Sequence, residues 1–149
     1  MNIRLVESKD WPEWLRMRKS LWPDSSESKH KKEMLDWIAN LHDYPVFVAD
    51  DSDGRLCGFV EASLHDSASA CLTGPVGYIE GWYVDEDIRE KGIGRQLILQ
   101  AEQWAVSRGF KEMASDAEIG NLTSIVAHLR LDYREVERDE KLVKFAKAI

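Results

Sequence analysis

The stretch from Tyr78 to Ala105 constrains this chain most. Tyr78-Ile79-Glu80-Gly81-Trp82-Tyr83-Val84 is dense in β-branched and aromatic residues and predicts a buried strand. Asp85-Glu86-Asp87 breaks it. Arg89-Glu90-Lys91-Gly92-Ile93-Gly94 follows, and then apolar residues at Leu97, Ile98, Ala101, Ala105 and Val106 recur at helical spacing. Strand, glycine turn, helix is the order of a phosphate receptor. Glycines lack Cβ, so backbone N–H groups at the helix start can approach a ligand closely. A helix N-terminus offers unpaired donors and roughly half a positive charge. Arg89, Lys91 and Arg95 add cationic side chains around it. The plain alternative is a Gly-x-Gly that only shapes a helix entry. A P-loop is excluded, because no Gly-Lys-Ser/Thr ending exists. A dinucleotide fold is excluded too, since it needs three spaced glycines early in a βαβ unit and an acidic residue beyond them.

The 149 residues suffice for one domain with a single good core. The net charge of −7 argues against nucleic acid as a partner and is compatible with a cationic ligand. No apolar run reaches the length of a membrane span, and Met1-Asn2-Ile3-Arg4 opens no signal-peptide core. Cys57 and Cys71 form no Cys-x-x-Cys pattern, which suits free thiols in the reducing cytoplasm. The four histidines have no metal-ligand spacing, so no metal is expected.

In chain order, Ile3 to Val6 predicts a first strand. Asp10 is placed as an N-cap, with Pro12 in the first turn and Glu13 three residues on, opening a helix over residues 11–21. Pro23 ends it by pushing Trp22 out of the helical region. The serines from Ser25 to Ser28 can cap a second helix with Met34, Leu35, Ile38 and Leu41 on one face. Pro45 to Ala49 and Leu56 to Leu64 flank a strong turn, Asp50 to Gly54, and form a hairpin. Gly58 marks a bulge or close packing. His65 to Pro75 is a polar loop. After the organising helix, Arg108-Gly109 is its C-cap. Glu112 to Asp116 is a strand ending on a carboxylate. Asn121 to Leu131 is a helix that buries Ile125, Val126 and Leu129, and Tyr133 to Arg138 and Leu142 to Ala146 are the last strands. Trp11, Trp14, Trp37 and Trp104 lie on apolar helical faces and are expected in the core. Trp22, in a loop, is expected at a contact surface.

The element order β1-α1-α2-β2-β3-β4-α3-β5-α4-β6-β7, with Arg89-x-x-Gly92-x-Gly94 after the fourth strand, resembles the GNAT superfamily of N-acetyltransferases over the whole chain. The resemblance implies an α/β (α+β) fold, a mixed and mostly antiparallel sheet with flanking helices. It implies that strands 4 and 5 splay apart, that coenzyme A lies along strand 4 and that its pyrophosphate sits on the α3 N-terminus. Acetyl transfer from acetyl-CoA to an amine is then direct. Trp82, Tyr83, Val84, Arg89, Glu90, Lys91, Gly92, Ile93, Gly94 and Arg95 would bind the coenzyme, the backbone of Trp82 to Val84 polarising the thioester carbonyl. Asn121 would reach coenzyme A, serve as a plain N-cap, or do both.

Leu21-Trp22-Pro23, Glu80-Gly81, Glu112-Met113-Ala114-Ser115-Asp116, Asn121 and Glu135-Val136-Glu137-Arg138 resemble the aminoglycoside 6′-N-acetyltransferases. This implies a cationic small-molecule substrate bound by Trp22, Asp66, Glu80, Asp116 and Glu137. Carboxylates facing one cleft would repel each other until a polycation relieves them. Asp116, or in its place Glu80, would be the base that takes the amine's proton. The resemblance further implies a homodimer, in which strands 6 and 7 could pair between subunits. Some positions depart from the family pattern. His128 stands where many members carry a Tyr that protonates the leaving thiolate, and packing is the simpler role for it. Asp132-Tyr133 replaces Gly-Phe. Ser67 follows His65-Asp66 where related enzymes often have a Tyr. Three other readings remain: a GNAT enzyme for another polyamine, an amino acid or a protein N-terminus; a non-catalytic acyl-CoA-binding module; and a peptide-binding scaffold, which leaves the phosphate turn unexplained.

Overall fold

A computed structural model describes residues 1–89 and 91–149. Its strands are β1 (Asn2–Leu5), β2 (Val46–Asp50), β3 (Leu56–His65), β4 (Val76–Val84), β5 (Glu112–Glu118), β6 (Arg134–Arg138) and β7 (Leu142–Ala148). The helices are α1 (Trp11–Leu21), α2 (Glu27–Ile38), α3 (Ile93–Ser107) and α4 (Leu122–Arg130). The element order is the expected one. The chain divides into two compact units, Met1–Ala62 with Gly81–Ala101, and Ser63–Glu80 with Glu102–Ile149. The strands β3 and β4 and the helix α3 run through both units. The seven strands form the expected mixed sheet, in the order β1-β2-β3-β4-β5-β7-β6.

In the first unit β1, β2 and β3 pair antiparallel. Trp14 and Met17 of α1 and Met34 of α2 pack with Val46, Val48, Leu56 and Phe59 in its core. Gly58 satisfies both expectations for it. The register shifts between Ala49, opposite Gly58, and Asp50, opposite Leu56, so the bulge falls beside it. A Cβ on Gly58 would stand 2.8 Å from the Tyr83 carbonyl oxygen, so only glycine fits there.

Two helical expectations are corrected. Asp10 precedes α1 but does not cap it, because its backbone is already helical and its side chain makes no cap bond. Its carboxylate accepts from the Arg4 guanidinium at 2.7 and 2.9 Å and from the Glu7 N–H at 2.8 Å. Burial opposes ionisation of Asp10, but those donors outweigh it and hold the carboxyl below its ordinary range. Ser26 does cap α2, accepting from the Lys29 N–H at 3.1 Å. That helix buries His30 and Met34, however, and leaves Leu35 and Ile38 exposed. His30, one turn before Met34, points inward because the unit supplies polar partners for both ring nitrogens.

Those partners form a buried network. The Trp14 indole donates to Glu61 at 3.0 Å, and Arg18 donates both to Glu61 and to His30 Nδ1, the latter at 3.2 Å. A guanidinium cannot accept, so His30 Nδ1 is unprotonated and its Nε2–H donates to the Trp22 carbonyl at 3.1 Å. Burial pushes the Glu61 carboxyl above its ordinary value, and Arg18 and Trp14 offset part of that shift.

In the second unit β4 and β5 run parallel, β5 pairs antiparallel with β7 along its whole length, and β6 closes on the far side of β7. The predicted C-cap of α3 is present. Gly109 adopts φ +81°, its N–H reaches the Val106 carbonyl, and the Phe110 N–H reaches that of Ala105. The expected burial along α4 is corrected: Val126 and Leu129 are exposed, Ile125 is half-buried and His128 is buried. Among the described residues no helix is long and apolar enough to cross a membrane.

Candidate active site

The site begins where β4 and β5 stop pairing. Their register is Gly77↔Met113, Tyr78↔Ala114 and Ile79↔Ser115, and it ends there, while β5 continues along β7 to Glu118. Glu80 and Asp116 are the first residues past that paired stretch, one on each strand. A cavity of about 320 Å³ opens beside them, lined by both carboxylates and by His65, Ser69, Tyr78, Ser115 and Lys144, all in the second unit.

Each carboxylate has donors of its own. The Tyr78 hydroxyl donates to Asp116 Oδ2. Burial, reinforced by this carboxylate, pushes the Tyr78 phenol far above its ordinary value, so it stays protonated and donates. Glu80 Oε1 accepts from the Ser63 hydroxyl at 2.8 Å and from His65 Nε2 at 2.7 Å. The His65 ring stacks on Tyr78, with centroids 4.5 Å apart. Glu137 Oε1 accepts from the Ser69 hydroxyl at 2.6 Å and lies 3.8 Å from Lys144 Nζ. Each of the three carboxylates thus already accepts at least one side-chain hydrogen bond.

The glycine turn lies in the first unit. Gly92 adopts φ +85°, a conformation that side-chain-bearing residues rarely take. Its carbonyl accepts the Gln96 N–H at 3.0 Å, the first bond of α3. Gly94 is small for a different reason. A Cβ there would stand 3.3 Å from the Trp82 indole, whose Nε1–H donates to the Gly94 carbonyl at 3.1 Å. Ile93 is buried, while Lys91 and Arg95 are exposed. The Arg89 Nε–H donates to the Val84 carbonyl at 2.9 Å, and its guanidinium lies 5.8 Å from the centroid of the Tyr83 ring. Glu90 lies outside the described residues.

The remaining expected site residues fall as follows. Trp22 is half-buried rather than an open contact surface. Its ring stacks on His30, meets Phe59 edge-on and lies under the Arg18 guanidinium at 4.8 Å. It also fills the space over Gly81, where a Cβ would come within 2.5 Å of it. Asp66 is exposed and does not line the cavity. Asn121 caps α4, accepting from the Ser124 N–H at 3.1 Å. His128 packs, as the simpler reading had it, stacking on Phe145 at 4.5 Å and bonding to the Ser115 hydroxyl and the Ser124 carbonyl. Sequence reasoning missed Tyr78, His65, Ser63, Ser69 and Lys144 as site residues. The i, i+2 spacing of Tyr78 and Glu80 could have flagged the first, because alternate strand residues share a face.

The model of the acetyltransferase (GNAT) family matches residues 11–133. An aminoglycoside N(6′)-acetyltransferase of Klebsiella aerogenes is 39% identical to this chain over 136 residues, 90% of each. An apo crystal structure of an aminoglycoside 6′-N-acetyltransferase from Acinetobacter haemolyticus superposes with a TM-score of 0.87 at 34% identity, covering 93% of this chain and 94% of that one. A related structure, of an enzyme bound to the bisubstrate analogue CoA-S-monomethyl-acetylneamine, gives 0.86 at 32% identity, covering 93% of each chain.

Proposed function

Because the chain belongs to the acetyltransferase (GNAT) family, we propose that it is an aminoglycoside 6′-N-acetyltransferase, using acetyl-CoA to acetylate the drug's 6′-amine. The observation that carries this reading is the placement of Glu80 and Asp116 just past the paired stretch of β4 and β5, both lining one cavity. The names of the similar proteins support the substrate.

The residues present suit coenzyme A. Gly92 leaves open space where a Cβ would stand, and the turn starts a fifteen-residue helix with exposed Lys91 before it and exposed Arg95 in its first turn. Glycines 92 and 94, Ile93 and the three cations Arg89, Lys91 and Arg95 would hold the diphosphate. The backbone of Trp82, Tyr83 and Val84 would take the pantetheine, and Asn121, besides capping α4, would contact the coenzyme. Acetyl-CoA supplies the activated acetyl group as a thioester.

Within the second unit Asp116 is the base. Tyr78 fixes its Oδ2, and among the described residues its Oδ1 has no hydrogen-bond partner, so that oxygen takes the proton of the 6′-ammonium. Glu80, oriented by Ser63 and His65, binds and aligns the amine. Glu137, beside Ser69 and Lys144, contacts a further ammonium group. The same reading makes the protein a cytoplasmic homodimer that confers aminoglycoside resistance.

The test is coenzyme A release from acetyl-CoA with kanamycin or tobramycin, a paromomycin-type drug bearing a 6′-hydroxyl, and spermidine. Turnover of the 6′-amino drugs alone is expected. Turnover of spermidine alone, or of none of them, sinks the substrate. Asp116→Asn should lower kcat by about 10²–10⁴, the usual share of a general base.

A further inference from the structure

The acceptor cavity contains a cation of its own. In β7, Lys144 stands directly opposite Asp116 of β5 on one side and Glu137 of β6 on the other. Residues directly opposite in antiparallel strands project to the same face. The three positions therefore form a row across three strands, with the lysine in the middle strand and a carboxylate residue on either side. A register shift between Glu135 and Glu137 completes it, bringing Glu137 opposite Lys144. Lys144 Nζ lies 3.8 Å from Glu137 Oε1 and 3.3 Å from the Ser69 hydroxyl, and it lines the cavity with Asp116. The side chain is 35% exposed, so it is not locked into a core and is free to be displaced.

We propose that Lys144 is a specificity-determining residue that occupies an ammonium subsite of the acceptor pocket, between Asp116 and Glu137. A polycationic acceptor must displace Nζ or leave that subsite unfilled, and in either case it meets the repulsion of a like charge. Lys144 thus sets an upper limit on how well highly aminated acceptors bind. The inference rests on the proposed aminoglycoside reading, and it assigns to this chain's own residue the discrimination among such drugs.

The experiment compares wild type, Lys144→Met and Lys144→Arg with kanamycin and the more highly aminated tobramycin. It measures kcat and KM by coenzyme A release, and drug binding by calorimetry. Met keeps the aliphatic stem and removes the charge. Its KM should fall about two- to fivefold for kanamycin, as expected for relief of a partly exposed charge contact. The fall should be larger for tobramycin and should shrink at high salt, with kcat little changed. Arg should behave as wild type. An unchanged or raised KM in Lys144→Met, or an equal fall in Lys144→Arg, overturns the proposal. Drug binding by Lys144→Met but not by wild type would support this inference and overturn the substrate reading for the natural chain. Binding by neither overturns both.

Discussion

Replacing Arg18 by Met tests the buried network that holds Trp22. The side chains of Arg18 and Glu61 are each 1% exposed, and Arg18 is the one cation bonded to Glu61 among the described residues. Met preserves the stem and its packing but leaves the Glu61 carboxylate buried with only the Trp14 indole as donor. Breaking a buried pair by removing one partner costs about 3–5 kcal/mol. That is a large part of the ~5–15 kcal/mol by which a domain is usually stable. For a chain of this length it corresponds to a Tm lower by about 6–20 °C. The loss should also depend on pH. Burial already raises the Glu61 carboxyl above its ordinary value of 4.5, and without Arg18 the shift grows. The folded variant then keeps a proton that the unfolded chain releases above that value. Its stability therefore falls as pH rises, and the gap to wild type widens between pH 5 and 8. Thermal unfolding across that range is the assay. The double variant Arg18→Met with Glu61→Gln retains an acceptor for Trp14 without the charge and should recover more than half of the loss. A single-variant cost below about 1 kcal/mol, or a double variant no more stable than the single, would refute the reasoning, since either result would mean that the stranded charge is not the cause.

Two further outcomes follow from the geometry. Gly92→Ala places a Cβ in open space but at φ +85°, so strain rather than collision sets its effect; about 1–2 kcal/mol of strain relieved by reshaping the turn should weaken coenzyme A binding about five- to thirtyfold in calorimetry, and unchanged affinity would remove the turn from the coenzyme site. His128 is held below its ordinary 6.5 by burial, against the opposing pull of the Ser124 carbonyl and Asp116. The unfolded chain therefore takes up a proton first as pH falls below 6.5, and wild type should lose stability from there until the folded value is passed. A His128→Gln variant should show a flatter Tm profile between pH 7 and 5.5, and an identical profile would locate that pH dependence elsewhere.

What the sequence determined by itself was local. The strand of Tyr78 to Val84, the turn at Gly92 and the amphipathic helix behind it are written in residues a few positions apart, and so are the Ser26 and Asn121 caps and the Gly109 C-cap. Hydrogen bonds and side-chain faces within one element repeat over a few residues, so composition and period specify them. Asp116 was legible as a strand-end carboxylate and Glu80 as a carboxylate within the fourth strand. Which faces of α2 and α4 turn inward was not, because His30 and His128 are buried by partners from elsewhere in the chain that no helical period records. The site's inner wiring was equally hidden. Tyr78 reaches Asp116 across 38 residues, and Ser69 reaches Glu137 across 68. Lys144 faces Asp116 and Glu137 only because three strands pair in one register, with a shift at Val136 that moves every later residue of β6 by one place. A strand's side chains alternate between faces, so that single shift decides whether a carboxylate or an apolar side chain meets the lysine. Only the paired sheet fixes that choice, because register is a property of two strands together and neither strand's sequence holds it alone.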